Sequence, residues 1–367
     1  MHEIGRNRRA AQVYSLDDIA ILPSRRTRGI ETVDLSWQID ALTFDFPFMA
    51  APMDSVMSPK TAIEFGRLGG LGVLNLEGLW TRYENPEPLL EQITHLPEGV
   101  AAVTRLQEIY AEPIKAELIT ARLSQIRDAG VPVAGSLSPQ NVRQYADLVQ
   151  SAGADFFVIR GTAVSAEHVS DLTEPLNLKQ FIYEFDVPVI VGGCATYQTA
   201  LHLMRTGAAG VLVGFGGAAT STNGRVLGIE VPMATAIAEA AEARRDYLDE
   251  SGGRYVHVIA DGAMGHSGDI VKAIACGADA AMIGSPLAAA TDAPGQGWHW
   301  GPEAWHENLP RGRRAHFEQV GTLEEVVMGP SHRPDGSMNL VGALRRAMAS
   351  TGYTEVKAFQ RIELVVR

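Results

Sequence analysis

The sequence predicts a (β/α)8 barrel, and three observations carry that expectation. From Phe46 onward, eight short runs rich in Val, Ile and small residues recur along the chain. Each run is almost continuously apolar, as parallel strands covered on both faces are. The stretches between them carry helical patterns that stop at Gly-Ala or a similar pair just before the next run. Strand and helix alternating in this way predict a parallel sheet, and the regular spacing favours a closed barrel over a doubly wound open sheet.

In order, the predicted strands are "FPFMAA" (46–51), "LGVLN" (71–75), "VPVAGS" (131–136), "DFFVIR" (155–160), "VPVIVG" (187–192), "GVLVGF" (210–215), "YVHVIADG" (255–262) and "AAMIGS" (280–285). Helical patterns such as "SPQNVRQYADLVQSAGA", "TYQTALHLMRTGAA" and "GDIVKAIACGA" lie between them. Residues 76–130 mix helix and loop signals, so the second gap is the least regular part of the pattern. Residues 1–45 read as an N-terminal arm packing on the barrel, residues 46–367 as the barrel itself, and about 290–340 as a loop-rich flap insert after the eighth strand.

Composition narrows the function classes. A chain of 367 residues, 46% hydrophobic and 20% charged, has the balance of a globular domain able to bury a core without staples. Its net charge of −12 argues against nucleic-acid binding. Two cysteines, Cys194 and Cys276, argue against a secreted disulfide framework. The N-terminus lacks an apolar signal segment and no window is apolar enough to span a membrane, so a cytoplasmic protein is expected. Arginines cluster at Arg6, Arg8 and Arg9, at Arg25, Arg26 and Arg28, and at Arg311, Arg313 and Arg314. Solvated surface or subunit contact explains such clusters; the third also suits a phosphate or flap contact beside an active site.

In a (β/α)8 barrel the reactive groups sit on the loops after the C-terminal strand ends. That rule selects Asp54 and Ser55, Asn75, Ser136 to Ser138, Arg160, Cys194, the loop "VGFGGAATSTNGRVLGIEVP" (213–232), Asp261, and Gly284 with Ser285. "IADGAMGHSGDI" and "AAMIGSPLA" place Gly-rich turns after strands seven and eight, where barrels commonly seat a phosphate on backbone N–H groups. His257 lies inside strand seven and reads as a packed core histidine. His299, His306, His316 and His332 show no metal-ligand spacing. The scattered methionines, Met53, Met204 and Met282 among them, fill core or pocket gaps.

The motifs "DDIAILPS", "AAPMDSVMSPKTAIEFGRLGGLGVLN", the strand-six glycine loop, "VPMATAI", "VIADGAMGHSGDIVKAIACGADAAMIGSPLA" and "GALRRAMASTGY" resemble the IMP dehydrogenase/GMP reductase family in order and spacing, over about residues 14–360. Residues 76–130 are too few for that family's regulatory CBS pair, so the chain is similar to its short, CBS-less, IMP-dehydrogenase-related branch. The resemblance implies a homotetramer or octamer that binds a purine 5′-monophosphate (IMP, XMP or GMP). Dehydrogenases of the family oxidise IMP with NAD through a covalent thioimidate on a loop cysteine, and a base on a mobile flap then activates water. GMP reductases use the same cysteine with NADPH. A thiolate suits the task because C2 of the purine must be attacked by a strong nucleophile and then lose hydride.

Carried over by position, Met53 resembles the residue that packs on the base, and Asp261 the aspartate that grips the ribose hydroxyls. Gly262, Gly284 and Ser285 resemble the phosphate contacts. Ala51 and Ala219 stand where the family has serines that contact the nucleotide. Arg160, Gly161 and Thr162 fall at the cofactor end, with Arg160 in place of an aspartate that meets the cofactor ribose. Gly214, Gly216 and Ser221 fall where carbonyls hold a monovalent cation, implying K+. Ungapped alignment of "VGFGGAATSTN" with the family's glycine loop puts Ser221 at the catalytic cysteine, Thr222 beside it, and Asn223 at a threonine that assists water attack. The flap's arginine–tyrosine pair has no counterpart. Cys194, which follows strand five, is the candidate displaced nucleophile.

These features imply NAD-dependent oxidation of IMP to XMP in guanine nucleotide synthesis as the nominal activity, with Ser221 replacing the cysteine it requires. The alternatives are a catalytically silent nucleotide-binding or regulatory paralogue, and a GMP reductase-like activity. A further alternative is a different reaction on a phosphorylated ligand, with Arg160 meeting an anion.

Overall fold

A computed structural model describes residues 2–166, 168–169 and 175–367. Eight parallel strands close into a barrel in chain order: β1 Phe48–Ala50, β2 Leu71–Asn75, β3 Ala134–Leu137, β4 Phe156–Arg160, β5 Val189–Cys194, β6 Gly210–Val213, β7 His257–Asp261 and β8 Ala280–Ile283. The eighth pairs back onto the first, with Ala281 opposite Phe48 and Ile283 opposite Ala50. Every predicted run overlaps one of these strands, and β3 and β5 extend past their predicted ends to Leu137 and Cys194. The predicted starts run early where proline intervenes. Pro47, Pro132 and Pro188 have no N–H to give the ladder, and the strands begin only beyond them.

The barrel-forming helices are α1 Pro59–Arg67, α2 Ala116–Asp128, α3 Val142–Ser151, α4 Leu178–Glu184, α5 Tyr197–Met204, α6 Met233–Glu250, α7 Ser267–Ala275 and α8 Leu340–Ser350. Local chemistry sets several of their ends. Ser58 and Thr61 form a capping box at the start of α1, and Thr196 with Thr199 does the same for α5. The Gly-Ala stops work because Gly207 and Gly277 adopt φ of +98° and +116°, a backbone region that glycine enters without steric cost. Strand residues such as Val73, Val158, Ile190, Leu212 and Ile259 are wholly buried, which is why their sequence shows no alternation.

The irregular stretch before β3 resolves into helices at Leu79–Arg82, Glu87–Thr94 and Val100–Tyr110 ahead of α2. The Val100–Tyr110 helix packs on the loop-rich region after β8: Tyr110 stacks on Trp305 at 4.3 Å and accepts a 2.9 Å hydrogen bond from Trp300 Nε1. At the opposite end of the barrel, a hairpin of Trp37–Ile39 and Leu42–Phe44 closes the floor. His257 is the core histidine expected: its Nδ1 accepts from Trp37 Nε1 at 3.2 Å. Beside it Asp279, wholly buried, accepts from Arg244, Lys357, Tyr255 and the Val258 N–H. Among the described residues no helix is long and apolar enough to cross a membrane.

Candidate functional site

The C-terminal strand ends open into a narrow cleft with about 80 Å³ of free volume. It brings together Ala51 and Met53 after β1, Arg160 to Thr162 after β4, Gly214, Gly216, Ser221 and Asn223 after β6, Asp261 and Gly262 at the end of β7, and Gly284 with Ser285 after β8. Residues far apart in sequence thus converge because each follows a barrel strand. Close backbone approach demands glycine at Gly214: a Cβ there would lie 2.0 Å from the Asp261 carbonyl oxygen.

Not every strand-end residue reaches the cleft. Ser138 donates to Glu77 and Asn75 accepts from its backbone, so both serve a local turn. Asp54 is buried beneath the cleft, where its Oδ2 accepts from Tyr110 at 2.7 Å and from the Leu79 N–H at 3.1 Å. Burial pushes its carboxyl up to about 6, against those hydrogen bonds. Cys194 does not face the cleft, and the expectation that it does is corrected. It is 3% exposed, its Sγ donates to the Leu212 carbonyl at 3.4 Å, and burial pushes the thiol up to about 12. The larger register step where β5 meets β6 turns its side chain into the wall, and the neighbouring Gly193 lines the cleft instead. Burial likewise pushes Cys276 up to about 12. Thr222 also lies off the cleft; its N–H donates to the Arg311 carbonyl.

Ser221, expected at the reacting position, lines the cleft and its Oγ accepts from the Asn223 N–H at 3.3 Å. Among the described residues no carboxylate, imidazole or amine is hydrogen-bonded to that hydroxyl. The Asn223 Oδ1 is buried without a partner, leaving an acceptor for a ligand donor. Across the cleft Arg160 grips Asp261 with two contacts, Nε to Oδ2 at 2.9 Å and Nη2 to Oδ1 at 3.4 Å. Each carboxylate oxygen keeps a second lone pair, so Asp261 still has room for a hydroxyl donor.

The segment after β8 folds over this arrangement as a lid. Trp298–His299 pairs with Ala315–His316, and the Arg311–Arg313 stretch runs antiparallel to Thr220–Thr222, with the Arg313 N–H on the Thr220 carbonyl at 2.8 Å. Thr162 donates to Glu303 Oε1 and accepts from Arg311 Nη2, both at 3.1 Å. Arg313 Nε reaches the Ala219 carbonyl and Arg314 lies over the Trp298 ring, so the third arginine cluster holds the lid. The lid contributes two cleft residues that strand-end reasoning misses, His299 and Glu303. The signal for His299 is faint: a histidine between two tryptophans in a loop otherwise rich in polar and small residues.

Two implied groups fare poorly against this geometry. Arg160 and Thr162, expected at a dinucleotide, are engaged by Asp261, Glu303 and Arg311, so the residues present do not fit NAD with the lid in this position. The Gly216 carbonyl, expected on K+, accepts from the Ala218 N–H, and the loop folds on itself and against the lid rather than opening as a ring of carbonyls. The residues therefore do not fit the cation either. Among the described residues no cluster of His, Cys, Asp and Glu is arranged to hold a metal ion.

Comparison with known proteins agrees with the architecture. The model of the IMP dehydrogenase / GMP reductase domain matches residues 13–367. The chain is 52% identical over 373 residues to an uncharacterized oxidoreductase of Mycolicibacterium smegmatis, covering 100% of both. It is 25% identical over 380 residues to the inosine-5′-monophosphate dehydrogenase of Methanocaldococcus jannaschii, covering 78% of this chain and 74% of that protein. A crystal structure of an IMP dehydrogenase/GMP reductase-like protein from Corynebacterium glutamicum superimposes with a TM-score of 0.95 at 51% identity, covering 100% of this chain and 97% of the other.

Proposed function

Because the chain belongs to the IMP dehydrogenase/GMP reductase family, we propose that its cleft binds a purine nucleoside 5′-monophosphate and does not perform the family's thiolate chemistry on it. The observation that carries this reading is at the reacting position. Ser221 stands there with no base bonded to its hydroxyl, and the nearest cysteine in sequence, Cys194, is buried in the wall. An unassisted hydroxyl is a poor nucleophile at neutral pH, and a thiol pushed up to about 12 holds almost no thiolate. The nucleotide-holding half keeps more of its expected residues, with Ala51 and Ala219 the departures. Met53 supplies an apolar face for a base, Asp261 keeps free lone pairs for ribose hydroxyls, and Gly262, Gly284 and Ser285 offer backbone to a phosphate.

NAD-dependent oxidation of IMP to XMP is the second reading, favoured by the relatives described as oxidoreductases and by the dehydrogenase relative. It requires Glu303 and Arg311 to leave Thr162 so that a dinucleotide can enter. When bound, NAD would accept the hydride. On this chain the groups able to orient a cofactor would be Arg160 and Thr162.

Calorimetric titration with IMP, XMP and GMP, run beside assays for NADH formation from IMP and for NADPH consumption with GMP, separates the readings. We expect saturable binding of at least one monophosphate, no turnover with either cofactor, and unchanged binding in Ser221→Ala. IMP-dependent NADH formation that disappears in Ser221→Ala would establish the dehydrogenase. GMP-dependent NADPH consumption would establish the reductase. Failure of every purine monophosphate to bind would remove the nucleotide reading altogether.

A further inference from the structure

His299 is 3% exposed, yet its ring edge faces the cleft. Its Nδ1 lies 3.0 Å from Ser55 Oγ. That hydroxyl accepts the Trp300 N–H at 3.3 Å and has one hydrogen to give, with the Trp300 carbonyl more distant at 3.5 Å. If the hydroxyl gives its hydrogen along the shorter contact, Nδ1 is the acceptor and the ring hydrogen lies on Nε2. Burial, aided by the Arg160 charge, holds the imidazole neutral, down to about 3. An N–H donor at the cleft edge is thereby given its direction by a residue 244 positions away.

The position of Nε2 says what it can serve. A Cβ placed on Gly284 would come within 3.0 Å of Nε2, with the Ala51 methyl 3.6 Å from the same point. The imidazole edge therefore fills the place of a side chain at Gly284, at the strand-eight end of the cleft. Loops after strands seven and eight are where this fold commonly seats a phosphate. Among the described residues Nε2 has no hydrogen-bond partner, and it borders the open space of the cleft, where an entering ligand oxygen can accept from it. The acidic groups of the cleft do not compete for it: Asp261 is paired with Arg160, and Glu303 accepts from Thr162.

We propose that His299 is a ligand-binding residue that donates from Nε2 to an anionic oxygen of a phosphate monoester seated against Gly262, Gly284 and Ser285. This rests on the nucleotide reading of the cleft, and it adds to that reading a side-chain donor from the lid. Ser55 is the positioning residue that keeps the hydrogen on Nε2. The arrangement also couples ligand to lid, because the strand carrying His299 pairs with Ala315–His316.

The test is calorimetry on the full chain with IMP, inosine and ribose 5-phosphate as probes. His299→Phe keeps ring volume and removes the donor; His299→Gln keeps an N–H near the Nε2 position. A hydrogen bond to a charged acceptor predicts that His299→Phe weakens IMP and ribose 5-phosphate by about 10- to 100-fold and leaves inosine unchanged. His299→Gln should return affinity to within about threefold, below half the free energy of a tenfold change. Ser55→Ala, which releases the tautomer, should weaken IMP more than inosine and serves if His299→Phe does not fold. Equal losses for IMP and inosine, or no loss for either, would overturn the assignment while leaving the nucleotide reading intact. Ribose 5-phosphate binding that depends on His299, with no purine nucleotide bound by the wild type, would keep the assignment and remove the nucleotide reading. A wild type that binds none of the phosphorylated probes ends both.

Discussion

At position 160 the sequence places a cation on the end of β4, and its consequence is read at Asp261, 101 residues away. Both side chains are mostly enclosed, 16% and 13% exposed, so each depends on the other for its charge to be tolerated. Removing one partner should therefore cost more than removing both. We expect Arg160→Leu to destabilise the fold by about 3 kcal/mol and the Arg160→Leu/Asp261→Asn pair by clearly less, read as a double-mutant cycle in urea. Additive losses would mean that the two residues are not coupled. This pair also marks what single residues disclose in a sequence. Arg160 and Asp261 were each legible as strand-end positions, because one rule maps strand ends onto the cleft. Their mutual engagement was not, since nothing local relates two residues on non-adjacent strands. His299 was less legible still: its partner Ser55 lies 244 residues away and its own segment has no period to read.

Elements were the most legible scale, for a physical reason. A strand buried on both faces is apolar at nearly every position, several strands begin just beyond a proline, and the helices between them stop at glycine turns, so each left a mark in the chain. Several strand starts blurred where proline withheld an N–H, and most strand ends shifted by one or two residues. The lid was legible merely as irregular, because its order comes from contacts with other elements: Arg311–Arg313 against Thr220–Thr222, and Trp300 and Trp305 against Tyr110. The junction of β6 and β7 offers a test of how tightly elements set the site. A methyl on Gly214 would lie 2.0 Å from the Asp261 carbonyl oxygen, whereas one on Gly265 would meet nothing within 4 Å. Gly214→Ala should lower the thermal midpoint by several degrees and weaken ligand binding, as about 1–3 kcal/mol of overpacking predicts. Gly265→Ala should stay within about 0.5 kcal/mol of wild type. Equal midpoints for the two variants would show that β6 and β7 yield to the added atom.

Over the whole molecule, the two ends of the barrel share a response to acid that neither element has alone. His257 at the floor and His299 in the lid are both kept neutral by burial, down to about 4 and about 3 from an ordinary 6.5. Between those values and 6.5 the unfolded chain binds more protons than the folded one, so stability rises with pH in that window. The contribution is complete above about 6.5 and is lost as pH falls. Asp54 works the other way: burial raises it from 3.8 to about 6, so its share is present below 3.8 and lost as pH rises through about 6. Two histidines against one carboxyl leave a net loss of roughly 3 kcal/mol between pH 6.5 and 4. Asp279 adds to it only at lower pH. Burial alone would raise its pKa, but Arg244 and Lys357 hold it below the carboxylate range. The expected outcome is a urea midpoint that is flat above pH 7 and falls steadily from about pH 6.5 to 4. His299→Phe should soften that fall, because one of the two protons taken up on unfolding is gone. Asp54→Asn should steepen it, because the opposing carboxyl no longer compensates. A wild-type midpoint unchanged down to pH 4.5 would mean that the histidines are not held neutral in the fold.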